Sequence, residues 1–178
     1  MRKPFIVAIN AVSGGGKTAL AQLLHRSLPE SALFCFDDFE ATNNYPSNFF
    51  EWHQRGGNLE EFDCPGMRAA VDEAIRQGKN KYIVLDYPLI REHSRFSDLI
   101  DLSVWLDTPL DVAMARRILR DYPASSLLGP LREDLNEYLV RGRLLYLDSR
   151  HRATCDLNLD GTKALEELKN LILAALPA

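Results

Sequence analysis

Five short apolar runs punctuate the chain, each followed by a stretch with helical spacing. The runs are Phe5-Ile6-Val7-Ala8-Ile9, Leu33-Phe34-Cys35-Phe36, Tyr82-Ile83-Val84-Leu85-Asp86, Leu102-Ser103-Val104-Trp105-Leu106-Asp107 and Asp156-Leu157-Asn158-Leu159. Nearly continuous apolar character over four to six residues predicts strands buried on both faces. Between them, Lys17 to Leu28 sets Leu20, Leu23, Leu24 and Leu28 on one helical face, and Pro29 ends it. Asp63 is placed to cap a second helix, with Pro65 in its first turn and Gly78 at its end. Pro109 opens a helix through Arg120, Leu131 to Ser149 reads as a long helix, and Thr162 to Ala175 as a closing one. Buried strands alternating with helices predict an α/β architecture, a parallel sheet covered on both faces. In such sheets ligands sit beyond the carboxyl ends of the strands. Ser13 to Thr18, Asp37-Asp38, Asp86 and Asp107 all follow strand ends.

The segment Ala11-Val12-Ser13-Gly14-Gly15-Gly16-Lys17-Thr18 lies between the first strand and the first helix. It matches G-x-x-x-x-G-K-[ST] except that Ala11 replaces the first glycine. Glycines let backbone N–H groups turn inward around phosphate oxygens, and the helix N-terminus adds positive potential. Ser13 to Ala19 thus form a candidate nucleotide cradle, with Lys17 reaching the β- and γ-phosphates and Thr18 offering its hydroxyl to Mg²⁺. The fold expected is a three-layer P-loop NTPase fold with a five-stranded parallel sheet, spanning 1–178 as one domain.

Phosphoryl transfer to a hydroxyl needs a base near the acceptor and acids near the metal. Asp37 and Asp38, adjacent after the second strand, can divide these tasks because their side chains diverge, one toward the phosphates and their metal and one toward the acceptor. Asp86 is a candidate ligand to a metal-bound water. Helix capping or solvated turns would account for the same acids on structural grounds.

Arg116, Arg117 and Arg120 share one predicted helix, and the polar, turn-rich stretch around 121–131 reads as a lid; Arg132, Arg141 and Arg143 follow. Arginines closing on a transferring phosphate stabilise charge and exclude water. Arg117 and Arg120 are the catalytic candidates and Arg116 a nucleotide contact. The acceptor is expected around 38–65. Eight of the chain's aromatic residues fall between Phe34 and Phe62, and rings with a few polar groups suit a planar ring or a sugar. Tyr45, Trp52, His53 and Asp63 are the candidate substrate contacts, on a segment expected to be irregular.

Composition narrows the reading further. The three cysteines are widely spaced, without C-x-x-C, and the four histidines form no metal-ligand spacing. The net charge of −4 argues against a nucleic-acid partner, which would favour a basic face. No apolar run approaches the about 20 residues needed to cross a membrane, and the first residues lead straight into a strand, so a cytoplasmic location is expected. A monomer and a homodimer both stay open.

Taken together, these motifs resemble the uridine kinase and nicotinamide riboside kinase group of P-loop kinases. The carriers are Ser13 to Thr18, Asp37-Asp38-Phe39, Phe62-Asp63-Cys64-Pro65, Trp105 to Pro109 with Arg116-Arg117-x-x-Arg120-Asp121, and Asp156 to Gly161. The resemblance implies an ATP- and Mg²⁺-dependent kinase whose acceptor is a nucleoside or nucleoside-like alcohol, with Asp37 as base. A nucleoside monophosphate, a sugar or a coenzyme precursor is the alternative acceptor. A monophosphate needs additional arginines, and Arg55, Arg68 and Arg91 are available. A regulatory GTPase is disfavoured, because Asn80-Lys81-Tyr82-Ile83 lacks N-K-x-D and Asp86-Tyr87-Pro88-Leu89 lacks D-x-x-G.

Overall fold

A computed structural model describes residues 3–89, 91, 93–123, 128–142, 147 and 150–177. Strands β1 (Phe5–Asn10), β2 (Ser31–Cys35), β3 (Tyr82–Asp86), β4 (Leu102–Asp107) and β5 (Leu157–Asp160) form one sheet. Its order is β2-β3-β1-β4-β5, and every pairing is parallel. The helices are α1 (Lys17–Ser27), α2 (Phe49–Gln54), α3 (Pro65–Gln77), α4 (Leu110–Asp121), α5 (Leu128–Glu137), α6 (Arg150–Thr154) and α7 (Leu165–Ala174). A 3₁₀ turn over Phe36–Thr42 follows β2, and a π-helical turn over Tyr138–Gly142 follows α5.

The two-residue period of the strands builds two cores. Ile6, Ala8, Ile83 and Leu85 face one side, against Met67 and Val71 of α3 and the rings of Trp52, Phe62, Tyr87 and Phe96. Val7, Ile9, Val84, Val104 and Leu106 face the other, against Leu20, Ala21 and Leu24 of α1 and Leu168 and Ile172 of α7. Burial on both faces explains why these strands read as continuous apolar runs. The result is the expected three-layer α/β fold.

Three local expectations need correction. Asp63 does not cap α3. The cap position is Cys64, which makes no side-chain cap bond, while Asp63 accepts from the Cys64 N–H and pairs with Arg95 at 2.5 Å. The helix predicted from Leu131 begins earlier, at Leu128, and its α-helical run stops at Glu137. A π-helical turn takes over there. Trp52 and His53 lie on α2, whose N-terminus is capped by Asn48 accepting from Phe50 and Glu51 N–H, so that stretch is helical rather than irregular. Arg143 and residues 124–127 of the predicted lid lie outside the described residues.

Leu24 is fully buried between α1 and the sheet. Leu24→Ala is expected to lose about 2–5 kcal/mol of stability, read as a lower urea midpoint at unchanged slope.

Candidate active site

The phosphate loop hangs between the end of β1 and the first turn of α1. Gly14 and Gly16 adopt φ values of 79° and 101°, a region that L side chains rarely enter. Ala11 is not strained, since Glu30 is the one non-glycine residue with positive φ among those described. Alanine therefore serves where the motif's first glycine stands. Gly15 N–H donates to Val12 O at 2.8 Å. The first turn of α1 holds no acidic side chain, so the positive end of the helix dipole stays unneutralised for an anion.

Parallel pairing sets Asp86 opposite Ile9, one strand over from the loop. Lys17 Nζ lies 2.9 Å from Asp86 Oδ1. That distance makes an ion pair, but the approach is off the line a hydrogen bond requires, and this buried oxygen accepts none. A buried carboxylate oxygen with unused acceptor capacity suits a metal-bound water. Thr18 lines the cavity beyond it. Among the described residues no three His, Cys, Asp or Glu side chains gather into a cation cage. Mg²⁺ does not need one, since it keeps several waters and uses one or two protein oxygens plus substrate phosphates. The residues present therefore fit Mg²⁺.

A cavity of about 660 Å³ opens over the loop. It is lined by Ser13, Gly14, Gly16, Lys17, Thr18 and Ala19 of the loop and α1, and by Arg116 and Arg120 of α4. Asp37 and the side chains of Phe36, Tyr45, Phe49, Leu59 and Phe62 line the same cavity. The glycine loop and the aromatic segment after β2 thus share one cavity. Tyr45 and Phe62 meet edge to face at 6.1 Å, as do Phe36 and Tyr45 at 6.2 Å. The Tyr45 hydroxyl donates to Glu40 at 2.5 Å. Burial, then this carboxylate, pushes the phenol up to about 12.

Other predicted residues fall elsewhere. Trp52 is buried in the core, its Nε1–H donating to Asn58 O at 2.7 Å and its ring against Phe62. It therefore backs the aromatic wall of the cavity and does not line it. His53, Asp63 and Asp38 are also absent from the lining, Asp63 because Arg95 holds it. Arg117 is drawn away by Asp134 at 2.7 Å and Asp121 at 3.5 Å. Arg116 donates to Gly161 O at 3.0 Å, and Arg120 pairs with Asp121 at 2.6 Å. Gln22, Pro88, Leu89 and Trp105 line the cavity without having been singled out. Gln22 carries a signal, one turn after Thr18 on the same helix face; Pro88 and Leu89 become visible only once β3 is placed beside β1.

This architecture, with a glycine loop at the end of the central strand of a parallel sheet, defines a P-loop NTPase fold. No family model matches the chain. The chain is similar to the uridine kinase of Streptococcus agalactiae, 26% identical over 144 residues that cover 67% of this chain and 69% of that one. Among solved structures it is similar to a Thermus thermophilus protein (TM-score 0.65, 19% identity, covering 99% of this chain and 100% of that one). A Bacteroides thetaiotaomicron shikimate kinase shares the fold with TM-score 0.56 at 13% identity, covering 97% of this chain and 99% of that one. Fold and sequence similarity thus point the same way: the chain has the fold of the small-molecule P-loop kinases and is similar in sequence to uridine kinases.

Cys35 ends β2 beside this site. Burial, reinforced by the carboxylates of Asp86 and Asp38, pushes its thiol up to about 11. The thiolate is the reactive form, so Cys35 is expected to resist iodoacetamide at pH 7–8. Its alkylation rate, followed by mass spectrometry, should climb about tenfold per pH unit toward pH 11.

Proposed function

We propose that this protein transfers the γ-phosphoryl group of ATP, with Mg²⁺, to a hydroxyl of a small acceptor, a nucleoside or nucleoside-like alcohol. The observation that carries the reading is that the phosphate loop, Asp37 and the aromatic walls line one shared cavity. Chain 1–178 acts as one kinase domain, with its lid around 121–131.

In this reading the loop N–H groups and Lys17 hold the β- and γ-phosphates. Lys17 exchanges its pairing with Asp86 for one with phosphate. Thr18 and Asp86 would hold Mg²⁺, with Asp38 as a further carboxylate; the ion, when bound, neutralises charge on the phosphates. Asp37 orients the acceptor hydroxyl and accepts its proton as the new P–O bond forms. Arg116 and Arg120 face the nucleotide from α4, and Arg117 would join them on exchanging its pairings with Asp134 and Asp121 for phosphate. Phe36, Tyr45, Phe49 and Phe62 stack against the acceptor's ring, with His53, Trp52 and Asp63 behind them.

The monophosphate alternative has less support. Arg55 pairs with Glu61 at 3.1 Å, Arg68 with Asp98 at 2.9 Å and Asp72 at 3.0 Å, and Arg91 with Asp156 at 2.6 Å. None of the three lines the cavity.

Two variants test the assignment, with ADP formation followed across nucleosides, monophosphates, sugars and vitamin precursors. Lys17→Ala is expected to abolish acceptor-stimulated turnover. Asp37→Asn is expected to lower kcat by about 10²–10⁴ while nucleotide affinity, measured by calorimetry, stays nearly constant. Near-full turnover in Asp37→Asn would remove Asp37 as the base.

A further inference from the structure

A three-glycine loop is conformationally permissive, so its shape before ligand arrives depends on what restrains it from outside. Thr108, just after β4, provides such a restraint. It is 6% exposed, and its hydroxyl donates to Gly15 O at 2.9 Å across 93 residues of sequence. A trans peptide points its C=O and the next residue's N–H in opposite directions, and the described chain holds no cis bond. Fixing the Gly15 carbonyl against Thr108 therefore aims the Gly16 N–H the other way. Gly16 lines the cavity whereas Gly15 does not.

The position of Thr108 depends in turn on Gly161, at the end of β5. A Cβ on Gly161 would sit 1.8 Å from Thr108 Oγ1 and 3.0 Å from its Cβ. Only glycine leaves room for the hydroxyl where it is. Gly161 is itself held by N–H donation to Asp107 O at 3.2 Å and by Arg116 donating to its carbonyl at 3.0 Å.

We infer that Thr108 is a positioning residue that presets the Gly15–Gly16 peptide for phosphate, and that Gly161 supplies the space this needs. The inference rests on the reading of the loop as a phosphate cradle. Restraint of the free loop lowers the ordering cost of binding, so loss of the bond appears in nucleotide affinity and not in acceptor recognition.

The test is amide hydrogen exchange of Gly14–Thr18 in the ligand-free protein, paired with calorimetric ADP affinity. Thr108→Val preserves shape and removes the donor. It is expected to speed exchange of these amides several-fold and to weaken ADP about three- to tenfold, at unchanged acceptor KM. Thr108→Ser restores both. Gly161→Ala, which leaves Thr108 in place but displaces its hydroxyl, reproduces the Val phenotype. Exchange and affinity equal to the unmodified protein in Thr108→Val, or a Ser variant no better than Val, overturns the inference. If the unmodified protein binds no ADP, the nucleotide reading fails, and the ligand-free exchange comparison still decides the role of Thr108.

Discussion

Ile9 of β1 stands opposite Asp86 of β3, and that register brings one buried carboxylate to the first residue of α1, where Lys17 meets it. Both charges are largely withdrawn from water, so each depends on the other or on an arriving ligand. A one-residue slip between β1 and β3 would turn the acid to the opposite face of the sheet. The two buried cores forbid that slip, because it would also turn Ile83, Val84 and Leu85 of β3 the wrong way. Core packing and site electrostatics are thus set by the same pairing.

The aromatic wall of the cavity is fastened differently, through a buried polar chain. Tyr87 OH and His93 Nδ1 are 3.0 Å apart, and His93 Nε2 lies 2.6 Å from Phe62 O. With Nε2–H donating to the carbonyl, Nδ1 accepts from the tyrosine hydroxyl, which fixes a neutral tautomer. The chain joins the loop after β3 to the backbone of a ring that walls the cavity. Satisfied networks of this kind rigidify a core.

Much of this was legible along the chain. β3 and β4 run over the residues their apolar patterns predict, and the glycine loop falls between strand and helix. Asp37 reaches the cavity from the end of β2 as its position implies. What was not legible lies in long-range partners. Arg95 decides where the Asp63 carboxylate goes, and Asp134 decides the same for Arg117. Helix α2 has six residues, too few for a periodic signal, so Trp52 and His53 looked like loop residues available to a ligand. The hand-over from α5 to a π-helical turn changes hydrogen bonding without changing hydrophobic spacing, and periodicity does not report it.

The sheet order carries a consequence for how such a protein can diversify. The phosphate loop hangs from β1, the central strand, flanked on both sides. The aromatic walls of the cavity follow β2, at the sheet's edge, and Tyr45 and Phe49 are 38% and 40% exposed. Substitutions at these two positions disturb little of either core. Under the proposed activity, the acceptor can thus be changed by substitutions in this peripheral segment, while the loop half of the cavity stays tied to the central strand.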